Sequence, residues 1–232
     1  MRDHMPDSRA NSLSMLRLCQ LVSPALPIGA YNFSQGLEYA AHLGDVHDEA
    51  STRDWILGVA EHAVGTLDLP LLLRMHDAWM NNDEFAARNW SMYLLASRET
   101  TELRAEERHL GRSLAKVLVS LEIDKAAEWV KEGDASYACL FALAASEWQI
   151  DRAQAATAYL WAWCENQVLA SLKLLPIGQT AGQRMLNALL QSIPGIVQSA
   201  LLLTDGEIGV ATPLQGMASA WHETQYTRLF RS

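Results

Sequence analysis

Cysteine is scarce in this 232-residue chain. Cys19, Cys139 and Cys164 are odd in number, far apart and set among apolar residues, with no CxxC pair. That excludes a disulfide framework and a thiolate zinc site, and it suits a reducing compartment. Positive charge is also short. Eighteen Lys and Arg against 27 Asp and Glu leave a formal net charge of −9. Nucleic acids and anionic membrane surfaces both require a basic face, so neither is expected as a partner. The first eleven residues, MRDHMPDSRAN, lack the apolar stretch of a signal peptide. The most apolar long segment, 155–175, carries Glu165, Asn166, Gln167 and Lys173, which excludes a simple membrane span. The expected location is the cytoplasm.

Proline is missing from residues 71–175, and only Gly111 and Gly133 interrupt them. Ala, Leu, Glu and Arg dominate that stretch, and such a composition favours helix over strand. A first helix is expected from Ser12 or Ser14 to about Val22. Ser51 with Asp54 resembles a capping box, and Pro70, after Asp68, fits the first turn of a further helix. Asp83, Asp124, Ser136 and Asp151 can each start a helix, the last running to Pro176. Beyond Gly178 the pattern predicts one helix through Leu189 and another opened by Ser192 and Pro194. A weak last helix covers about 215–224. No strand pattern, repeat or linker stands out, so the expectation is an all-α single-domain bundle of about ten helices. Residues 1–11 form a polar, flexible N-terminus ahead of the domain at 12–232.

Catalytic signatures are absent: there is no P-loop, GxSxG, HExxH or EF-hand loop. Glu106 and His109 form one E-x-x-H, but beside Arg104, Glu107 and Arg108 they read as a solvated charged face. His42, Asp45, His47, Asp48 and Glu49 read as a polar turn rather than a metal site. His62 and His76, on apolar helices, read as satisfied, partly buried histidines, and Trp161 with Trp163 as core.

Three features stand out. One is the apolar, proline-fixed loop at 23–33, followed by Ser34, Gln35, Gly36 and Glu38. Another is the polar set Glu165, Asn166, Gln167 and Lys173 in an apolar helix, running into Gln179, Gln183 and Arg184. Such groups must bind each other or line a polar passage. The third is the ending, HETQYTRLFRS at 222–232, which mixes aromatic, apolar and cationic side chains as interfaces do. None supplies a nucleophile with its base, so binding is favoured over catalysis.

At these residues the chain resembles the urease accessory protein family UreF. The matching strings are LVSPALPIGAYNFSQGLE at 21–38, SRETTELR at 97–104, KLLPIGQTAGQR at 173–184 and the ending. The family signature reads Ser-Tyr or Ser-Trp where this chain has Asn32 and Phe33. The resemblance implies an all-α homodimer that is not an enzyme and carries no nucleotide site; no cofactor and no metal-binding residue are expected. It implies partners UreD (also called UreH), the GTPase UreG and apo-urease, with nickel inserted in a GTP-dependent step. It carries Glu38 over as the signature acid, Lys173 as the signature lysine, and Arg228 and Phe230 as part of a tail, from about 210, that orders against UreD. Tyr31, Ser34, Gln35, Gln179, Gln183, Arg184, Tyr226 and Leu229 complete the expected partner-binding set. Taken alone, Glu38 would be a helix-surface carboxylate and Lys173 a snorkelling lysine. Two other readings compete: a carrier that binds nickel directly, and an all-α enzyme with a buried polar pocket.

Overall fold

The proline-poor, glycine-poor composition folds into helices throughout. The computed structural model describes residues 8–132, 134–209 and 213–232, and no strand occurs among them. Residues 1–7 of the expected N-terminus, and 210–212 at the start of the expected tail, lie outside the described residues.

The helices are α1 (Ser8–Leu21), α2 (Leu37–Leu43), α3 (Glu49–Val59), α4 (Leu69–Met80), α5 (Glu84–Ser97), α6 (Thr101–Ser120), α7 (Ala127–Glu132), α8 (Tyr137–Glu147), α9 (Arg152–Leu174), α10 (Gln179–Leu202) and α11 (Pro213–His222). A π-helical segment, Ala60–Asp68, joins α3 to α4 as one continuous rod. The eleven α segments among the described residues therefore make ten rods, in an all-α, single-domain bundle.

Local chemistry explains most boundaries. Asp83, Thr100, Ser136 and Asp151 each accept a backbone N–H at the start of α5, α6, α8 and α9. Four expectations need correction. The first helix starts at Ser8, ahead of Ser12 and Ser14. The capping box sits one turn early, because Asp48 accepts from Ser51 N and Ser51 Oγ accepts from Asp48 N. Pro70 does fall in the first turn of α4, but α4 continues the π-helical segment without a break. The missing N–H of Pro70 frees the carbonyl of Thr66, which accepts from Gly209 N at 3.2 Å instead. Pro194 likewise lies inside α10. It and Leu190, whose carbonyl it deprives of a donor, are both exposed, so water can substitute.

The core is built around α8. Every residue from Ala138 to Ser146 is buried, and a helix apolar on all sides must be enclosed on all sides. Helices α4, α5, α6 and α9 pack around it. By length and composition alone the rod Glu49–Met80 and α10 could cross a membrane; these, rather than 155–175, are the most apolar long helices among the described residues. In the structure the rod supplies the centre of the core, with Leu69, Leu71, Leu72, Leu73 and Met75 buried. His62, expected to be partly buried, is exposed because it falls in the π segment, where the wider turn shifts the helix face. His76 is buried, with Nε2 2.9 Å from Ile150 O.

Gly111 explains itself by contact. A Cβ there would lie 2.1 Å from Ala135 O, against backbone that cannot swing away. It sets how closely α6 approaches the start of α8. Gly111→Ala is expected to lower unfolding free energy by about 3 kcal/mol, read as a reduced urea midpoint with the helical far-UV spectrum retained.

Candidate functional site

The proline-fixed loop begins the site. Pro24 and Pro27 stiffen it, while Ile28 and Phe33 turn inward and are buried. A 3-10 turn, Ala30–Asn32, leads to Gln35 and Gly36, with φ of 53° and 86°. Gly36 is required twice over. Its φ is left-handed, and a Cβ would sit 3.0 Å from Ser219 N in α11. Gln35 holds the same unfavourable region with a side chain. Its Nε2 donates to Glu106 Oε1 at 2.8 Å and its Oε1 accepts from Trp163 Nε1 at 2.8 Å. Strain of this kind persists where surrounding bonds over-determine it.

This turn aims Glu38 inward from the first turn of α2. Glu38 is buried rather than on the helix surface. Its Oε1 accepts from Leu229 N at 2.7 Å, and its Oε2 accepts from Phe230 N at 2.8 Å. Oε2 also lies 3.1 Å from His222 Nε2, and His222 Nδ1 lies 2.7 Å from Glu102 Oε2. Arg228 donates to the other oxygen of Glu102. The tail is thus laid on its own chain. Ser34 N donates to Ser232 O at 2.9 Å, Arg231 N to Asn32 O at 2.8 Å, and Ser232 Oγ to Glu106 Oε2 at 2.8 Å. Phe230 is buried with Leu37, Ala40, Val46 and Ala170.

Tail residues therefore divide. Phe230 and Ser232 face inward, while Tyr226, Arg228 and Leu229 remain exposed. Lys173, exposed at the end of α9, joins the three features. Its Nζ lies 5.6 Å from the Tyr31 ring centre and 5.4 Å from that of Phe230. The structure brings Tyr31, Ser34, Gln35, Glu38, Lys173, Tyr226, Arg228, Leu229 and Phe230 into one region. Gln179, Gln183 and Arg184 form a separate exposed group, with Arg184 Nε donating to Glu49 at 3.0 Å.

Beneath the loop lies a cavity of about 100 Å³ lined by Gln35, Arg98, Glu106, Glu107, Tyr137 and Tyr159 among others. Glu165 and Asn166 line it too, and Asn166 Nδ2 donates to Phe33 O at 3.2 Å. Glu106 and Glu107 are buried, which corrects their reading as a solvated face. The signal was present. Leu103, Glu107, Leu110 and Leu114 fall on one helical stripe, so these carboxylates sit on the inward side of α6. Arg98 bridges Glu107 and Asp68, and Asp68 also accepts from Tyr159 OH at 3.4 Å. Burial works against the Arg98 charge, but the two carboxylates outweigh it and hold the guanidinium firmly protonated. Burial pushes Glu106 up to about 7, against the lowering effect of its bonds from Gln35 and Ser232. His222, Glu102 and Asp68 were not anticipated, because their partners lie far away along the chain.

Among the described residues no group of three or more His, Cys, Asp or Glu is placed to hold a metal ion. In the polar turn, Asp48 caps α3 and Glu49 is paired with Arg184. Glu38, His222 and Glu102 do meet, but each ring nitrogen faces a different carboxylate, so the three share no common point for an ion. All three cysteines are free thiols.

Comparison with known proteins adds the following. A family model described as UreF matches residues 46–190. The urease accessory protein UreF of Alkalilimnicola ehrlichii is 48% identical over 220 residues, covering 95% of this chain and 96% of that protein. That of Hahella chejuensis is 43% identical over 220 residues, covering 95% and 99%. That of Psychrobacter cryohalolentis is 42% identical over 235 residues and covers both chains completely.

The raised Glu106 carboxyl has a consequence for stability. The folded state binds the proton more tightly than the unfolded chain, whose carboxyl titrates near 4.5. Stability is therefore lost as pH rises from about 4.5 to about 7. The shift corresponds to about 3 kcal/mol. Glu106→Gln is expected to remove this component, so that urea unfolding at pH 5 and pH 8 differs less in the variant than in the parent. An unchanged difference would show that Glu106 ionises freely in the folded protein.

Proposed function

The chain belongs to the UreF family of urease accessory proteins, and from that premise we propose that it is a non-enzymatic adaptor in urease maturation. It binds UreD (UreH), recruits the GTPase UreG, and with them docks on apo-urease to promote GTP-dependent insertion of nickel. Nickel is cargo here, delivered to urease and not retained. The adaptor works in the cytoplasm as a homodimer.

One observation carries this reading. The loop, the end of α9 and the tail are fixed to each other from within by Glu38, Ser34 and Phe230. The same segments leave Tyr31, Tyr226 and Leu229 58%, 102% and 62% exposed. Aromatic and apolar side chains on a rigid support are what a protein partner needs. We assign Tyr31, Lys173, Tyr226, Arg228 and Leu229 to direct partner contact. Ser34, Gln35, Glu38 and Phe230 support that surface from beneath. Gln179, Gln183 and Arg184 offer a second contact area. A nickel carrier is not favoured, since the candidate ligands are engaged in caps and ion pairs.

Co-purification with cognate UreD and UreG tests the adaptor role. A complex is expected, and no complex together with normal urease activation in its absence would refute it. Truncating Arg228 to Ser232 would also remove Phe230 from its apolar cluster, so point variants test the surface more cleanly. The double variant Tyr226→Ala/Leu229→Ala is expected to weaken UreD binding by about tenfold or more, with unchanged thermal unfolding. An unchanged affinity would remove the tail from the interface.

A further inference from the structure

We infer that His222 is a positioning residue: it is held as an imidazolium between Glu38 and Glu102, and its charge keeps residues 226–232 laid on the body with Tyr226 and Leu229 outward. This rests on the adaptor reading and adds control of the partner-docking surface by a single proton.

Hydrogen-bond chemistry carries the inference. His222 Nδ1 lies 2.7 Å from Glu102 Oε2, and Nε2 lies 3.1 Å from Glu38 Oε2. An ionised carboxylate only accepts, and a neutral imidazole has one N–H. A neutral ring would therefore set one nitrogen lone pair against a carboxylate oxygen. The imidazolium satisfies both sides. Water cannot relieve the conflict, because the His222 side chain is 0% exposed and those of Glu38 and Glu102 are 8% and 13% exposed.

The charges facing the ring balance. Glu38 comes from α2 and Glu102 from α6, while Arg228 in the tail is bonded to Glu102. Glu223, next to His222, accepts from Glu102 N at 3.1 Å through its exposed carboxylate. Two buried carboxylates thus meet one buried imidazolium and the guanidinium of Arg228, which reaches Glu102 from the exposed side. Removing the His222 proton leaves an uncompensated negative charge in a site that cannot hydrate it.

Glu38 transmits the change. The oxygen that meets His222 also accepts from Phe230 N, and its other oxygen accepts from Leu229 N. If the ring loses its proton to solvent, Glu38 stays ionised and faces a lone pair, so it must move away. That movement weakens its hold on the two tail amides. Tail docking is then favoured at lower pH and lost as pH rises and the ring gives up its proton.

Amide hydrogen exchange on the full chain carrying Glu106→Gln tests this from about pH 5 to about pH 9; the substitution removes a carboxyl that is pushed up to about 7 and touches the tail at Ser232. With intrinsic rates corrected, the peptide holding residues 229 and 230 is expected to be protected at the low end and to open as pH rises. Amides of α4 should stay protected throughout. His222→Gln is expected to lose protection of the tail peptide about tenfold or more at low pH, with a flat profile. Glu102→Gln in the same chain restores neutrality and should recover part of the protection. Glu102→Gln alone removes one negative neighbour, so its profile should move to lower pH; it also serves if His222→Gln fails to fold. A flat parental profile, or a Glu102→Gln profile superimposable on the parent, would overturn the inference. UreD affinity of the same variants separates the two readings. Tail loosening without loss of UreD binding would leave the imidazolium in place and refute the docking surface.

Discussion

A buried carboxylate must find donors, and Glu38 finds all of them in the last eleven residues of the chain: the amides of Leu229 and Phe230 and the ring of His222. The region depends on that requirement. It draws the tail back across α2 and seats Phe230 over Leu37, Ala40 and Val46. It also brings Ser232 to Ser34 and Glu106, under the left-handed turn at Gln35. The loop and the tail have few regular backbone bonds of their own. Each is ordered by the other, through side chains that lie at opposite ends of the sequence.

The same logic appears at the helical rod. Pro70 removes a donor in mid-helix, and the freed carbonyl of Thr66 is met by Gly209. Asp68, which caps nothing, turns instead to Arg98 and Tyr159. Arg98 then reaches Glu107, whose other oxygen accepts from Ala138 N at 3.2 Å, at the start of the central helix. Breaks in regular structure are thus where the polar network attaches. A fully satisfied network of this kind fixes one arrangement of the helices around it, since each member left unpaired would cost about 1–3 kcal/mol.

The helical architecture was legible because it rests on local signals. Missing proline, caps at Asp83, Ser136 and Asp151, and apolar periodicity all act within a few residues. The structure departs from those signals where a distant group changes the local answer. Pro70 and Pro194 are helix-start signals by themselves, yet Gly209 and solvent compensate for their lost donors. The site was half legible. Its strings at 21–38, around Lys173 and at the ending were visible as unusual sequence. That Glu38 is buried was not, because the residues that bury it lie more than 180 positions away. Glu106 and Glu107 are turned inward by the leucines one turn on either side of them, a stripe that outweighs the charge of their neighbours.

On the adaptor reading, this division of labour bears on how the proposed docking surface works. Glu38, Ser34 and Ser232 have their hydrogen bonds filled from within the chain, so they have little left to offer a partner. What remains outward is of another kind: the rings of Tyr31 and Tyr226, Leu229, and the Lys173 ammonium. Lys173 has two aromatic faces beside it, Tyr31 from the loop and Phe230 from the tail. A cation so placed senses both segments at once, and it loses one of its faces if the tail lifts. On the adaptor reading, then, a change at Glu38 reaches the partner through the tail and through Lys173. On the same reading Glu38 and Lys173 act as two ends of one mechanical link, with Phe230 in contact with both.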